Sequence, residues 1–275
     1  MVLRPRSTRT IVLELLSATD GTELGVKALS RAAALFGVSD NNLRVTLARL
    51  KREGFVEAVD RGRYRLGPEA RAVAERVGVW READKAVKAW KGAWIGVHDA
   101  ALSRADRGAT RRRDRALRLL GFRCLTAGLH LRPDNLRGSV VSVRARLVGL
   151  GLEPETPVFR MTCLDPATEE LAFALWNTDE LEANYRDMTE KLQAAERQLA
   201  RDDDEVARDA FVLGGDAIRL IVLDPLLPSP IVDTQARAGF IEAMRRFDER
   251  GRALWLRILR DAEAEAEAEG DAVHA

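Results

Sequence analysis

The stretch from residue 37 to residue 66 constrains the fold more than any other part of the chain. It reads GVSDNNLRVTLARLKREGFVEAVDRGRYRL, in which one apolar helical stripe runs into two short β-prone runs. Ser39 is typical of a helix N-cap, because its hydroxyl can accept a backbone N–H of the first turn. Leu43, Leu47 and Leu50 recur at helical spacing, so they predict one buried helix face.

A basic hairpin is expected after this helix. Residues 55–59 and 63–66 are β-prone and lie on either side of a turn cluster with Arg61 at its tip. Upstream, residues 10–16 and 28–36 predict two short helices. The order helix, helix, tight turn, helix and hairpin predicts a winged helix-turn-helix.

The exposed side of the third helix combines amides, small side chains and guanidiniums, which suits the major groove of DNA. The predicted DNA contacts are Ser39, Asn41, Asn42, Arg44, Val45, Ala48, Arg49, Arg52, Arg61 and Arg63. Residues 1–66 carry 12 lysines and arginines against seven aspartates and glutamates, whereas the whole chain has a net charge of only +1. The alternative is a small helical domain whose basic side chains are merely solvated.

Length and composition set wider limits. A chain of 275 residues predicts two or three domains. No apolar run approaches the roughly 18 residues that a membrane span requires, and the basic N-terminus lacks a signal-type apolar region, so a cytoplasmic protein is expected. Cys124 and Cys163 lack metal-type spacing and are interpreted as small core residues. The sequence contains only three histidines, so a histidine-rich metal site is not expected. No cofactor is expected either.

The middle of the chain alternates strand-like and helix-like segments. We predict a strand at 94–100, a helix at 110–120, two strands within 124–133, a helix at 136–150 and a strand at 156–164. The order β, α, β, β, α, β is that of a ferredoxin-like domain.

The remainder is helical, with apolar stripes over residues 179–199 and 240–259 and an apolar helix at 217–223. The expected fold class is therefore α+β and multidomain. The predicted boundaries are a winged helix-turn-helix at 1–68, a helical connector at 69–90, a ferredoxin-like domain at 91–165, a helical domain at 166–262 and an acidic low-complexity tail at 263–275.

Several motifs, taken in order, resemble one family. They are GVSDNNLRVTLARLKREGF with RGRYRL, WKGAWIGV, LRLLGFRCLTAGLHLRP, LWNTDELEANY and RLIVLDPLLP. Along nearly all of its length the chain is similar to the PaaX-type transcriptional repressors of aromatic-acid catabolism. The resemblance implies a winged helix, a ferredoxin-like domain and a helical C-terminal domain. It also implies a homodimer that binds a palindromic operator in double-stranded DNA and is released by an acyl-CoA effector.

A run of arginines in the first helix of the predicted ferredoxin-like domain has two interpretations. Arg111, Arg112, Arg115 and Arg118, with Arg113 among them, can bind the phosphates of an acyl-CoA effector or of DNA. The alternative is a solvated outer helix face or salt bridges in a dimer contact.

An enzyme is the competing function class. Asp99 follows the first strand of the predicted ferredoxin-like domain, where the endoribonucleases of this fold carry a metal-binding aspartate. A metal-dependent nuclease would need more than this one carboxylate, since a hard divalent cation requires further ligands. No nucleophile triad or phosphate loop is recognisable, so the sequence favours a regulator over an enzyme.

Overall fold

The computed structural model describes residues 6–19, 21–60, 62–201 and 203–272. Its helices and strands in these ranges are α1 (Thr8–Ser17), β1 (Leu24–Gly25), α2 (Val26–Ala34), α3 (Asp40–Arg52), β2 (Val56–Asp60), β3 (Arg63–Leu66), α4 (Pro68–Gly78), a 3-10 helix (Val79–Ala86), β4 (Trp94–His98), α5 (Arg107–Leu119), β5 (Arg123–Thr126), β6 (Leu129–Pro133), α6 (Val140–Leu150), β7 (Val158–Met161), α7 (Pro166–Phe173), α8 (Thr178–Glu196), α9 (Asp204–Val222) and α10 (Thr234–Ala272). None of these helices combines the length and apolar character that a membrane crossing requires.

The chain forms two compact units, and each is assembled from separate stretches. The first unit comprises Met1–Val79, Lys191–Asp216 and Met244–Ala275. The second comprises Trp80–Glu190 and Ala217–Ala243. Helices α8, α9 and α10 therefore each contribute residues to both units. The five domain boundaries expected from the sequence stay predictions.

In the first unit, α1, α2 and α3 pack beside a small antiparallel sheet of order β1-β3-β2. Ser39 caps α3 as expected, because its hydroxyl accepts the backbone N–H of Asn42. Leu43, Leu47 and Leu50 are all buried, which confirms the predicted apolar face. They share the core with residues of the neighbouring elements, namely Ile11, Val12, Leu15, Leu16, Leu29, Val56 and Leu66.

Aromatic packing and a carboxylate join the C-terminal helices to this sheet and its helices. Phe36, just after α2, lies 5.0 Å from the ring of Phe211 in α9 and 6.0 Å from that of Trp255 in α10. Glu263 of α10 accepts a hydrogen bond from the backbone N–H of Gly25 in β1 at 2.8 Å. Such packing of large rings stabilises the arrangement through both apolar area and ring geometry.

The second unit contains an antiparallel sheet of order β5-β6-β4-β7. Side chains alternate between the faces of a strand, and Ile95 and Val97 of β4 pack with the buried residues of α5 and α6. Trp94 points to the other face, where its ring stacks on that of Trp176 at 6.3 Å. The elements of this sheet follow the predicted order β, α, β, β, α, β.

A buried arginine crosses this unit. Arg132 of β6 donates to the carbonyl oxygens of Leu120, Pro133 and Pro225 and to Oδ1 of Asn135. Burial lowers the pKa of Arg132 to about 9, which leaves the guanidinium charged at neutral pH. A buried charge without hydrogen-bond partners is costly, and these four oxygens offset the cost of burying the Arg132 guanidinium. They connect the sheet to the segment after α9.

A second buried polar group lies in that segment. The hydroxyl of Tyr185 donates to Asp224 at 2.8 Å, and Arg237 lies 4.0 Å from the same carboxylate. Burial raises the pKa of Asp224 in spite of the arginine. Asp224 also accepts the backbone N–H of Leu226, a non-glycine residue with a φ of 52°. The DPLLP segment is thus held in a left-handed turn by side chains from distant parts of the chain.

Two expectations differ from the structure, one about the cysteines and one about the helix at 217–223. The prediction of core cysteines is wrong, since Cys124 and Cys163 are both exposed and free. Cys124 lies on β5, an edge strand, and Cys163 follows β7 at the other edge. The helix expected at 217–223 is the last part of the longer α9, whose earlier turns are less uniformly apolar.

Candidate nucleic-acid interface

Helix α3 is held to the first unit by one face and exposes the other. Three buried leucines anchor it, and the hairpin of β2 and β3 follows directly, which confirms the predicted hairpin. The exposed residues of α3 are Asp40, Asn41, Asn42, Arg44, Val45, Ala48, Arg49, Lys51 and Arg52. Apart from Asp40 this face is neutral or basic, as a surface for a polyanion must be.

The arginines of this face differ in their availability. Within the described residues, Arg44 and Arg52 make no ion pair or hydrogen bond through their side chains. Arg49 donates to Glu53 at 2.8 Å but remains 68% exposed. Hydrogen bonds from Arg49 and then Arg9 hold the pKa of Glu53 below its ordinary value. An exposed i,i+4 pair of this kind contributes only about 0.3–0.5 kcal/mol, so a phosphate can compete for Arg49.

Two predicted contacts serve the domain itself. The hydroxyl of Ser39 is the cap of α3. The amide of Asn42 donates to the hydroxyl of Thr8 at 3.1 Å, which ties α3 to the start of α1. Both side chains are exposed, so a DNA contact by either one stays a prediction.

The hairpin carries paired arginines. Glu57 and Arg65 face each other across β2 and β3 and form an ion pair at 3.0 Å. Gly62 adopts a φ of 78° in the turn, a conformation that favours glycine. Arg61, the predicted tip residue, lies outside the described residues.

Arg63, a predicted DNA contact, forms ion pairs with two carboxylates of its own unit. Its guanidinium is 2.7 Å from Glu23 and 3.4 Å from Glu263. Both carboxylates come from segments distant in sequence, and therefore the local pattern could not reveal them. A DNA contact by Arg63 stays a prediction and requires one of these ion pairs to open.

The arginines of α5 divide into two groups. Arg111, Arg112, Arg115 and Arg118 are exposed on the outer side, while Arg113 is buried among the residues that α5 packs against. Arg113 donates to Glu153 at 2.7 Å and to Asp99 at 3.4 Å. Its inclusion in an outer basic face is therefore wrong. Because Ala116 and Leu117 are buried three and four residues later, Arg113 lies on their side of the helix.

Asp99, on which the nuclease alternative depends, is buried and surrounded by cations. Besides Arg113, its carboxylate lies 3.8 Å from Arg104. Its Oδ1 is 3.4 Å from Nε2 of His130, without hydrogen-bond geometry. Among the residues that the structure describes, no group of three His, Cys, Asp or Glu side chains is placed to hold a metal ion. The surroundings of Asp99 are those of a structural ion pair.

Two exposed basic positions were not predicted as contacts. Lys51 extends the basic last turn of α3 beside Arg52, and Arg65 lies on the hairpin. Lys51 belongs to the same run of exposed positions, so its spacing in the sequence was a usable signal. Arg65 and Tyr64 are adjacent on β3, so their side chains point to opposite faces of the strand. The pairing of Arg65 with Glu57 depends on the register of β2 and β3, which the sequence does not specify.

The fold and this surface together define a mixed α+β protein with a candidate nucleic-acid interface on α3. Residues 176–257 match the family model described as the PaaX-like protein C-terminal domain. Over these residues the chain is similar to the C-terminal domain of PaaX-like proteins, which confirms the resemblance to this family in that region.

The fold is also similar to that of solved structures. The uncharacterized protein Rv0674 from Mycobacterium tuberculosis superposes with a TM-score of 0.60, at 22% sequence identity, over 90% of this chain and 98% of that one. At this identity the likeness concerns the fold alone. No curated protein matches the chain.

Proposed function

We propose that the protein is a sequence-specific DNA-binding transcriptional regulator of the PaaX type, and that it is not an enzyme. In this proposal α1, α2, α3 and the β2-β3 hairpin form a winged helix-turn-helix, with α3 in the major groove and the hairpin as the wing. The PaaX-like C-terminal domain supports the regulator class. The β5-β6-β4-β7 sheet with α5 and α6 is proposed as the ferredoxin-like domain of such a regulator.

The observation that carries the proposal is the exposed face of α3. It is anchored by buried leucines, begins at a capped N-terminus and presents unpaired arginines beside an amide and two small side chains. Arginine binds guanine bidentately, asparagine binds adenine, and small side chains let a helix approach the groove floor. Solvation alone does not call for this combination on a capped helix that runs directly into a hairpin.

We expect Arg44→Ala to weaken binding to a selected duplex by about 1–3 kcal/mol, because a bidentate contact to a base edge is worth this much. The duplex is first selected from a random pool with the full-length protein, and affinity is then measured by fluorescence anisotropy at fixed salt. Arg197→Ala is the control, since Arg197 is an exposed arginine of the same unit in the turn that directly follows α8. Equal affinities of the Arg44→Ala and Arg197→Ala variants would contradict the assignment.

We further propose that the regulator is a cytoplasmic homodimer that represses a catabolic operon for aromatic or related acids, and that an acyl-CoA relieves repression. Four exposed arginines of α5 are the proposed phosphate contacts of this effector, namely Arg111, Arg112, Arg115 and Arg118. Guanidiniums on successive turns of one helix face suit a ligand with several phosphates.

The effector is tested by thermal stability. An acyl-CoA present at about ten times its Kd should stabilise the protein by about 1.4 kcal/mol, since a ligand that binds only the folded state contributes RT ln(1 + [L]/Kd). A panel of acyl-CoA thioesters is screened by thermal shift against the intact protein. The double variant Arg115→Ala with Arg118→Ala should lose the shift, whereas Arg186→Ala, on α8, should keep it. A shift that survives the double variant would place the ligand elsewhere.

A further inference from the structure

The exposed face of α3 contains an apolar side chain that its own unit does not use. Val45 is 61% exposed in the middle of a helix whose other exposed residues are polar, charged or alanine. Valine has a lower helix propensity than alanine or the long polar residues. Its position therefore gains nothing from helix formation or from core burial.

The neighbours of Val45 place it centrally on this face. Asn41 and Arg49 lie four residues before and after it, and Ala48 lies three residues after it, all exposed. Residues three and four apart are neighbours on a helix surface. Val45 is thus the apolar centre of a patch whose rim carries hydrogen-bond donors.

We propose that Val45 is a specificity-determining residue that contacts the C5-methyl group of a thymine in the major groove. This inference rests on the proposed DNA-binding function of α3. The methyl of thymine is the apolar feature that the major groove displays, and side chains read it by direct contact. The preferred sites of this protein should therefore contain a thymine at a defined position of each half-site.

The experiment replaces thymine by deoxyuridine, which keeps the base pair and lacks only the methyl group. Duplexes selected with the full-length protein are remade with one deoxyuridine at a time, and each Kd is measured. Burial of one methyl group corresponds to about a threefold to fivefold change in affinity. We expect the wild-type protein to lose this factor at one thymine position in each half-site. Val45→Ala should bind the thymine duplex about as weakly as the wild-type protein binds the deoxyuridine duplex. Its affinity should not fall further when deoxyuridine replaces that thymine.

Val45→Ala keeps the helix intact, since alanine is the better helix former. Val141→Ala is the matched control, because Val141 is 75% exposed on the outer side of α6. It should bind like the wild-type protein and keep the full deoxyuridine penalty. Absence of a deoxyuridine penalty at every thymine, or the same penalty in Val45→Ala as in the wild-type protein, would overturn the inference and leave DNA binding intact. If no duplex is enriched from the random pool, the proposed function fails and this inference fails with it.

Discussion

Replacing Arg132 by alanine should destabilise the second unit by about 3–5 kcal/mol. The guanidinium supplies the donors for three backbone carbonyls and one side-chain oxygen inside this unit. Its removal leaves these oxygens buried without a partner, and each orphaned group costs about 1–3 kcal/mol before the surroundings relax.

The measurement is urea unfolding followed by tryptophan fluorescence. Trp80, Trp90, Trp94 and Trp176 belong to the second unit, and therefore four of the five tryptophans report on it. Arg118→Ala, at an exposed position of α5, is the control and should change the free energy of unfolding by less than about 0.5 kcal/mol. An Arg132→Ala protein as stable as this control would show that water replaces the guanidinium without cost.

Local patterns accounted for the elements that carry the candidate site. The cap at Ser39, the leucine stripe of α3 and the hairpin all depend on residues within a few positions of one another, and each was confirmed. The order of the elements around β4 was also predictable, since every strand there is bounded by glycine, proline or a charged turn.

Long-range contacts explain what the sequence did not predict. Strand β1 has only two residues and exists because Leu24 and Gly25 pair with β3. The burial of Arg132 depends on Pro225, some ninety residues away. Neither is visible in a periodicity, because a strand this short has no alternation to detect and an arginine in a strand is ordinarily read as exposed. Each unit is also assembled from stretches that are distant in sequence, which local patterns cannot reveal.

The site shows the same division at the level of single residues. The exposure of Arg44 and Arg52 follows from their angle to the leucine stripe, which the helix period determines. The pairing of Arg63 depends on Glu23 and Glu263, which arrive from other parts of the chain. Whether a guanidinium is available to a phosphate is therefore settled by tertiary contacts, even where its exposure is predictable from the helix alone.

Disrupting one half-site of the selected duplex should lower the affinity about a hundredfold or more, because we expect a two-fold dimer to bind both half-sites at once. One α3 presents few base-reading side chains, and each good bidentate pair discriminates by about 1–3 kcal/mol. Specific binding in a genome requires about 4–10 kcal/mol over non-specific DNA. Two copies of α3 related by a two-fold axis double the readout and demand a palindrome whose half-sites are centred about 10 base pairs, or a multiple of this, apart.

The oligomeric state is measured independently by sedimentation at micromolar protein. We expect a species of twice the 30.5 kDa of one chain, with and without the duplex. The matched DNA control carries the same number of substitutions in the spacer between the half-sites, which should leave affinity nearly unchanged when the spacing is kept. A single 30.5 kDa species in both conditions would rule out the dimer. In that case the specificity of the monomer would have to come from α3 together with the wing and from DNA shape. The selected site would then be one half-site without symmetry.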